Sequence, residues 1–461
     1  MRTIIEDAYK NYPNNRYVGF YQFMKPMLLI RDPELIKDIT IKDFDAFPNH
    51  RQFIPTTADP LWGKNLFQIT TEEGWHSMRA TLSPSFTASK MKILFNLMEE
   101  CAEQFVDYFE SYKGEVVVEL KDTFTRFAND IIGTCAFGIQ CNSLKYRDNE
   151  FYVMGKEATD FSGIKSFKFF IYEISPMLMK LFDIKIFNNK VRTFFKKTIK
   201  ETVDLRREKN IIRPDMIHLL LEAAKKMKNF SEDEKKKNII NELSDEDITA
   251  QALIFFVAGF DTVSTAMCYV TYDLATNPDV QRRLCEEITE TLQQSSKITY
   301  ESVTTMKYLD CVISESLRFN APVSVIDRKC RKPYTIKPVN PGEKTIHLDP
   351  ETILWIPVSA LHHDDQYFPN PKKFDPERFN SENKSNINQF AYLPFGSGPR
   401  NCIGSRFALL EIKMIIVEIL RRFEIVPNAK TEIPIKPSII NFNGLPDKGL
   451  WVSFKPKNSL K

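Results

Sequence analysis

Residues 395–404 read FGSGPRNCIG and set Cys402 in a glycine-rich loop directly before an amphipathic helical pattern at 405–423. Glycine is scarce in this chain, 15 of 461 residues, so three glycines within nine positions indicate a backbone that needs them. Gly398 allows a loop conformation that is closed to residues with a Cβ atom. Because backbone N–H groups at a helix start favour a thiolate, we expect a lowered pKa for Cys402.

The chemistry of this loop depends on what the cysteine binds. A thiolate suits a soft metal or haem iron, and Gly404 would let a flat macrocycle approach the helix closely. Arg400 would pair with an anionic group such as a haem propionate. An ordinary buried cysteine is an alternative, because most free cysteines are of that kind. A phosphate-binding loop is disfavoured, since neither a following Gly-Lys-Ser/Thr nor a clear preceding strand is present.

Composition excludes several other classes of protein. With 43% hydrophobic and 12% aromatic residues, the chain is neither disordered nor fibrous. Its 63 basic and 60 acidic residues nearly balance, which argues against nucleic-acid binding through phosphate contacts. Eight scattered cysteines without a CxxC pair indicate reduced thiols in a cytosol-facing protein. The first ten residues lack the apolar core of a signal peptide or membrane span.

Apolar periodicity predicts a mainly helical protein with small sheets. A long buried helix should begin at a capping box formed by Ser244 and Asp247 and end at Asn277 before Pro278. Other helices are predicted at 91–112, 128–136, 190–207, 279–294, 309–319 and 405–423. Strands are predicted at 17–23, 27–29, 344–346, 352–357 and 451–454. The charged stretch at 225–247 is interpreted as a surface loop, and no linker or internal repeat is found.

Phe395, Gly398, Arg400, Cys402 and Gly404 match the haem-binding signature of the cytochrome P450 family, which this chain resembles. The resemblance implies haem b as cofactor and Cys402 as the axial ligand of its iron. It also implies that Phe395, Arg400 and Gly404 contact the cofactor. Three further segments match the family in order and spacing, so a chance match is remote.

The first segment is AGFDT at 258–262, within the long helix. Gly259 leaves room for a diatomic ligand, and the Thr262 hydroxyl can bond to the carbonyl four residues earlier and open the helix locally. The resemblance implies oxygen activation here, with Ala258 against the cofactor and with Asp261 and Thr262 as catalytic residues that relay protons. Val263 stands where the family often has Thr or Ser, so a second hydroxyl in the relay is not supported.

The other two segments concern structure and cofactor binding. Glu315 and Arg318 lie three residues apart on one helix face and can form an ion pair, which Arg378 completes by resemblance. We assign these three residues a structural role behind the cysteine loop. Trp75 and Arg79 share another helix face. By resemblance, Trp75, Arg79 and Arg328 on a strand contact the haem propionates.

The resemblance implies one cytochrome P450 domain over residues 1–461, a large helical body with small β-sheets. Haem would be buried between the long central helix and the cysteine loop. The implied activity is a haem-thiolate monooxygenase that inserts one atom of O2 into a lipophilic small molecule. A separate NADPH-dependent reductase would supply electrons, with cytochrome b5 as a possible second donor. The pocket would be lined from 53–67, Phe255, Phe256, Ala258, 323–326 and 444–445.

The motifs YVGFYQF at 17–23, LSPSF at 82–86 and HHDD at 362–365 place the chain nearest the insect microsomal branch associated with xenobiotic metabolism. Members of that branch begin with an apolar anchor and a proline-rich hinge, and this sequence starts after both. We therefore expect a truncated sequence or a protein without a spanning anchor. The apolar stretches 167–172 and 177–182 would touch a membrane surface, at the cytosolic face of the endoplasmic reticulum, or else lie in the core.

Two other functions stay open at this point. A haem-thiolate isomerase or dehydratase would need no external electrons, although the Asp261 and Thr262 pair favours oxygen activation. A haem protein that only sequesters ligands is the second alternative.

Overall fold

The computed structural model describes residues 2–22, 25–52, 54, 59–160, 168, 171, 181–182, 184–213, 215–228, 243–293, 297–438 and 444–457. Their helices are α1 Arg2–Asn11, α2 Pro33–Lys37, α3 Pro60–Gly63, α4 Trp75–Leu82, α5 Ala88–Glu110, α6 Leu120–Ile132, α7 Glu150–Thr159, α8 Asn189–Lys209, α9 Met216–Lys228, α10 Asp245–Thr276, α11 Pro278–Leu292, α12 Tyr300–Thr305, α13 Lys307–Phe319, α14 Val358–His362 and α15 Ser405–Arg422. Their strands are β1 Tyr17–Gln22, β2 Lys25–Ile30, β3 Val116–Glu119, β4 Ile326–Lys329, β5 Tyr334–Ile336, β6 Ile346–Leu348, β7 Ile353–Ile356, β8 Phe423–Val426 and β9 Trp451–Pro456.

The mainly helical fold is confirmed, with differences at some element ends. The helix predicted at 128–136 begins earlier, as α6, because the Glu119 carboxylate caps it by accepting the N–H of Asp122. It then widens into a π-helix at Gly133–Phe137. The strand predicted at 344–346 lies two residues later, as β6. The surface loop predicted at 225–247 is wrong at both ends, because 225–228 belong to α9 and 245–247 to α10. Residues 229–242 lie outside the described residues.

Helix α10 is the centre of the fold. The expected capping box is confirmed: Ser244 Oγ accepts the N–H of Asp247 at 3.1 Å, and the Asp247 carboxylate accepts the N–H of Ser244 at 2.9 Å. The helix ends at Thr276 with Asn277 as its C-cap, as expected, and Pro278 starts α11. Among the described residues α10 is the one helix long and apolar enough to cross a membrane, and 67% of its apolar window is buried inside the protein.

The largest sheet brings residues from both halves of the chain together in the order β1-β2-β7-β4. Strand β2 pairs with β7 in parallel, with Met27 opposite Ile353. Strand β4 pairs with β7 in antiparallel orientation, with Arg328 opposite Leu354. This pairing fixes Arg328 next to the cysteine loop, because its guanidinium donates to the carbonyl of Ser397 at 3.0 Å.

An aromatic cluster ties α10 to the helices around it. The ring of Phe256 lies within 5.2–6.0 Å of four other phenylalanine rings, measured between ring centroids. These four are Phe137, Phe151, Phe195 and Phe260. Aromatic rings at these separations add to the stability of the core beyond the area that they bury. Three of the four partner rings, those of Phe137, Phe151 and Phe195, lie outside α10, so the cluster packs this helix against neighbouring segments.

Candidate active site

A cavity of about 380 Å³ lies between α10 and the loop that holds Cys402. Its lining is mostly apolar and includes Phe67, Phe86, Ile132, Met216, Phe255, Val323, Ile326, Phe395, Phe407 and Ile412. Another cleft, of about 530 Å³, lies at the protein surface around the start of α11 and residues 373–377. Charged side chains dominate that cleft and the cysteine is not in it, so the apolar cavity is the candidate site.

The loop backbone holds Cys402 at the edge of the cavity. The N–H of Cys402 donates to the carbonyl of Phe395 at 2.8 Å, and the N–H of Asn401 donates to the carbonyl of Gly398 at 3.0 Å. Gly398 has a φ of +71°, which favours glycine, as the sequence predicted. The side chain of Cys402 is exposed to the cavity.

The expected lowering of the Cys402 pKa is wrong, because the pKa of this thiol is raised. Burial raises the pKa of this thiol, while the backbone N–H of Gly404 and the guanidinium of Arg79 lower it by less. The thiol faces the cavity but is surrounded by protein. The free-energy cost of removing a thiolate from water therefore outweighs the stabilisation of the thiolate by the N–H groups at the helix start. The position of Cys402 in the sequence shows that it precedes a helix, but not that the folded protein encloses its thiol.

The face of α10 that carries the AGFDT segment borders the cavity. Ala258, Gly259 and Thr262 line it, and Ala258 and Thr262 are exposed although the helix around them is buried. The predicted back-bond is confirmed: Thr262 Oγ1 donates to the carbonyl of Ala258 at 2.6 Å. Asp261 does not line the cavity, and its carboxylate lies 2.7 Å from Lys121 Nζ. The sequence did not indicate Lys121, which is 140 residues away from its partner.

Three arginines predicted to bind a cofactor border the cavity together: Arg79, Arg328 and Arg400. None of them forms an ion pair with a carboxylate of the described chain. Arg79 instead donates to the carbonyl and the side-chain oxygen of Asn401, at 3.0 and 2.8 Å. Burial lowers the pKa of Arg328 to about 10 and that of Arg400 to about 9. A buried guanidinium without a counter-ion is costly, so this rim favours an anionic ligand.

The contacts of Arg400 and Arg328 show how the protein holds these cations. Arg400 donates to the carbonyls of Pro48 and Ile69 at 2.8 and 2.9 Å and lies 4.1 Å from the centre of the Trp75 ring. Trp75 is buried and lines the cavity, as expected from its position four residues before Arg79. Arg328 keeps one buried donor, its Nε, without a hydrogen-bond partner. That free donor is available to a ligand.

His50 is a cavity residue that sequence reasoning missed. Its Nδ1 lies 3.0 Å from the Asp327 carboxylate, and its ring stacks on Phe67 with 4.5 Å between ring centres. Burial lowers the pKa of His50, although Asp327 opposes this effect. The sequence offered one signal, because Asp327 directly precedes Arg328, a predicted cofactor ligand. The partner of Asp327 could not be identified from it, because His50 lies 277 residues earlier in the chain.

The expected Glu–Arg–Arg network is confirmed in its contacts. The Glu315 carboxylate accepts Arg318 Nε at 2.7 Å, and Arg378 Nε lies 3.5 Å from it. Arg318 also donates to the carbonyl of His362 at 2.8 Å. Burial lowers the pKa of His362 to about 3, so its ring is neutral, and Nε2 accepts the N–H of Leu393 at 2.9 Å. The network thereby reaches the segment that leads into the cysteine loop.

The predicted substrate pocket is correct in part. Leu66, Phe67, Phe255, Val323 and Ile326 line the cavity with Ala258. Phe256 does not, because it is fully buried in the aromatic cluster on another face of α10. Leu445 is likewise packed in the core. Residues 53 and 55–58 lie outside the described part of the chain, as do most of the stretches 167–172 and 177–182.

The family model described as Cytochrome P450 matches residues 3–448. The chain belongs to the cytochrome P450 family. It is 47% identical to Cytochrome P450 9e2 of Blattella germanica over 98% of this chain and 88% of that protein. It is 40% identical to Probable cytochrome P450 9f2 of Drosophila melanogaster, over 99% of this chain and 90% of that protein. It is 41% identical to Probable cytochrome P450 6a13 of Drosophila melanogaster, over 93% of this chain and 83% of that protein.

As a cytochrome P450, this chain is a haem-thiolate monooxygenase, and its insect relatives agree with the branch inferred from the sequence. The family acts on lipophilic molecules and takes electrons from a redox partner. The residues at the cavity fit haem. The free Nε of Arg328 and the unpaired arginines suit two propionates, the apolar walls suit the macrocycle, and the Cys402 thiol suits iron.

Proposed function

We propose that Cys402 is the axial ligand of the haem iron in this P450. One observation carries the proposal: the Cys402 thiol opens into the same apolar cavity that three unpaired arginines and the Thr262 face of α10 border. Bound haem would supply the one-electron and O2 chemistry, and a thiolate ligand favours O–O cleavage. The overall reaction joins RH, O2, two electrons and two protons to give ROH and water.

We assign the remaining cavity residues to cofactor binding. Arg79, Arg328 and Arg400 would bind the propionates, with Trp75 supporting the Arg400 guanidinium through its ring. Phe395, Ala258 and Gly404 would contact the macrocycle itself, since all three border the cavity. The buried Glu315, Arg318 and Arg378 would hold the chain that carries the cysteine loop, in a structural role.

Asp261 and Thr262 are proposed as the residues that deliver protons. Thr262 lines the cavity, and Asp261 precedes it on the helix with a side chain that is 41% exposed. Together they connect an ionisable group that reaches solvent with a hydroxyl in the cavity. Because Thr262 donates to the Ala258 carbonyl, its oxygen lone pairs are free to accept a hydrogen bond from a proton source.

The substrate side of the cavity favours apolar and aromatic guests. Phe67, Phe86, Phe255 and Val323 contribute apolar surface, and such walls discriminate weakly between molecules of similar shape. This supports broad action on lipophilic compounds, xenobiotics included. Electrons would come from an NADPH-dependent flavoprotein reductase, with cytochrome b5 as a second donor.

The carbon monoxide difference spectrum of the reduced protein tests the ligand. Cys402→Ala should abolish the red-shifted Soret band of a thiolate complex. Cys135→Ala is the matched control, because Cys135 is another thiol that lines the same cavity. The control should keep the band. A Cys402→Ala protein that retains it, or a Cys135→Ala protein that loses it, would refute the assignment.

We also propose that residues 1–461 act as a single domain at the cytosolic face of the endoplasmic reticulum membrane. The family match over 3–448 supports one domain. Leu181 and Phe182, 73% and 67% exposed, would contribute to membrane contact. Replacing both by Asp should reduce flotation with phosphatidylcholine vesicles. The exposed Ile212→Asp serves as control, and equal flotation of all three proteins would contradict this contact.

A further inference from the structure

Gln251 is a buried residue of α10 whose side-chain amide bonds to the backbone of a distant loop. Its Oε1 accepts the N–H of Leu66 at 2.9 Å, and its Nε2 donates to the carbonyl of Lys64 at 2.8 Å. The side chain is fully buried. Rotating the amide by half a turn would set donor against donor and acceptor against acceptor, so the contact has one orientation. It joins segments that are 185 residues apart.

The loop that Gln251 holds, residues 64–69, forms a wall of the cavity and is here named the wall loop. Leu66 and Phe67 line the cavity. Asn65 Oδ1 accepts the N–H groups of Phe67 and Gln68, both at 3.0 Å. Because these bonds fix the shape of the turn, the place of the wall loop beside the cavity depends on its contacts with other segments.

The wall loop is also attached to the cysteine loop. Arg400 donates to the carbonyls of Leu66 and Ile69, at 3.3 and 2.9 Å. The Gln251 amide holds the opposite side, on α10. The wall loop therefore spans from α10 to the cysteine loop, the two elements between which the cavity lies. Loss of either attachment would allow the wall to shift relative to the cavity.

Gln251 provides the buried attachment of the wall loop to α10. Lys64 also reaches this helix, since its Nζ lies 3.0 Å from Glu246 and 3.4 Å from Asp247, but its side chain is 33% exposed. Partly exposed ion pairs of this kind contribute little. A buried N–H or carbonyl that loses its partner costs more free energy. Gln251 lies one helical turn before Phe255, which lines the cavity, so it holds the loop beside the substrate side of α10.

We propose that Gln251 is a positioning residue for substrate recognition, which fixes the wall loop so that Leu66 and Phe67 present an ordered apolar surface. This inference rests on the function proposed above. A ligand that meets an ordered wall does not have to order it on binding, which favours affinity. Without the Gln251 amide, ligands that reach the wall should bind more weakly. Ligands too small to reach it should bind as before.

The test measures the Kd of two ligands of the haem iron from the Soret shift of the holoenzyme. Imidazole is too small to span the cavity, whereas bifonazole carries three phenyl rings that need apolar walls. We expect Gln251→Met to raise the Kd of bifonazole at least about fivefold and that of imidazole less than about twofold.

Gln281→Met is the matched control. Gln281 is also buried, and its amide bonds to both the N–H and the carbonyl of Ile425 at 2.8 Å. Neither of these two residues lines the cavity. The control therefore loses the same kind of backbone contact elsewhere in the fold. It should leave both Kd values within about twofold of wild type.

Two further variants separate positioning from damage to the fold. In a Phe67→Ala background, Gln251→Met should add less than about a twofold change in the Kd of bifonazole, because the wall is already incomplete. Gln251→Asn has an amide one carbon shorter, which cannot reach both backbone atoms. It replaces Gln251→Met if that variant does not incorporate haem, and it should raise the Kd of bifonazole at least about twofold.

Four results would overturn the role of Gln251. They are unchanged binding of bifonazole, an equal change for imidazole, an equal change in Gln281→Met, and full additivity with Phe67→Ala. A wild-type protein without the Cys402-dependent carbon monoxide band would overturn the proposed function itself.

Discussion

Gly398 lies so close to Thr40 that a Cβ atom on the glycine would stand 1.9 Å from the Thr40 carbonyl oxygen. Thr40 belongs to a π-helix, Asp38–Lys42, and its hydroxyl also contacts Ser397 Oγ at 3.3 Å. The cysteine loop is therefore seated directly on the N-terminal part of the chain. Because the contact is between backbone atoms of the loop and of the π-helix, neither segment can easily move to make room for a side chain.

Gly398→Ala should consequently prevent stable haem incorporation. The alanine would suffer both the positive φ and the overlap with Thr40, together costing about 3 kcal/mol or more. Gly342→Ala separates the two effects, because Gly342 has a φ of +81° but nothing lies within 4 Å of the place that its Cβ would take. It should cost about 1–2 kcal/mol. Thermal unfolding and haem content measure both variants, and equal behaviour would contradict the contact.

Arg328→Met should accelerate haem loss, because it removes a buried cation whose Nε has no partner in the protein. We expect transfer of haem to apomyoglobin to become at least about tenfold faster, equivalent to about 1.4 kcal/mol. Arg331→Met is a control from the same stretch of chain, since Arg331 is 48% exposed and pairs with Glu72. Similar transfer rates for both variants would count against propionate binding by Arg328.

Glu315→Gln should destabilise the protein strongly, since it leaves the buried Arg318 without its counter-ion. Breaking a buried pair in this way costs about 3–5 kcal/mol. The exposed pair of Glu34 and Lys37 has the same spacing, so Glu34→Gln should change the free energy of unfolding by at most about 0.5 kcal/mol. Urea denaturation followed by tryptophan fluorescence compares the two. A Glu315→Gln protein as stable as the control would exclude a structural role for this ion pair.

Asp273 gives a prediction about pH. Burial raises the pKa of this carboxyl to about 7, although Ser316 and Asn320 donate to it at 2.6 and 3.1 Å. The folded state therefore binds a proton that the unfolded state releases near pH 4. This contribution is complete below about pH 4 and is lost as the pH rises through about 7, by on the order of 2–4 kcal/mol.

Asp273→Asn should remove that dependence, so that the Tm of the variant relative to wild type rises between pH 5 and pH 8. Asp279→Asn, at an exposed position, is the control. A constant difference in Tm between wild type and Asp273→Asn across this range would show that Asp273 keeps its ordinary pKa in the fold.

Thr262→Ala should keep the carbon monoxide spectrum but divert electrons to H2O2, because the hydroxyl in the cavity is lost. We expect the peroxide fraction to rise severalfold. Thr276→Ala removes the same kind of back-bond from the same helix, since Thr276 Oγ1 donates to the carbonyl of Tyr272 at 3.0 Å. That position lies away from the cavity, and the control should couple normally. If both variants uncouple alike, helix geometry and not the hydroxyl is responsible.

Features set by neighbours in sequence could be predicted from the sequence. The capping box at Ser244, the Thr262 back-bond and the pairing of Glu315 with Arg318 all span three or four residues of one helix. Helical geometry brings such residues together without further information. The overall fold was accessible for a different reason, since the cysteine loop and its companion motifs resemble one family.

Contacts between distant segments could not be predicted. Lys121 meets Asp261 across 140 residues, and the carbonyls that hold Arg400 come from more than 330 positions earlier. The direction of the Cys402 pKa shift failed for the same reason, because enclosure depends on which segments surround the thiol. The orientation of Phe256 likewise depends on an aromatic cluster drawn from separate helices.

The parallel pairing of β2 with β7 has a consequence for biosynthesis. Met27 meets Ile353, so β2 cannot complete its sheet until most of the chain has been made. At about 5–20 residues per second, translation of the intervening segment takes roughly 15–65 s. During that interval the apolar sequence MLLI of β2 has an unpaired edge, which is a site for aggregation. The nascent chain is therefore prone to aggregation until β7 has been made and can pair with β2 and with β4, the strand that carries Arg328.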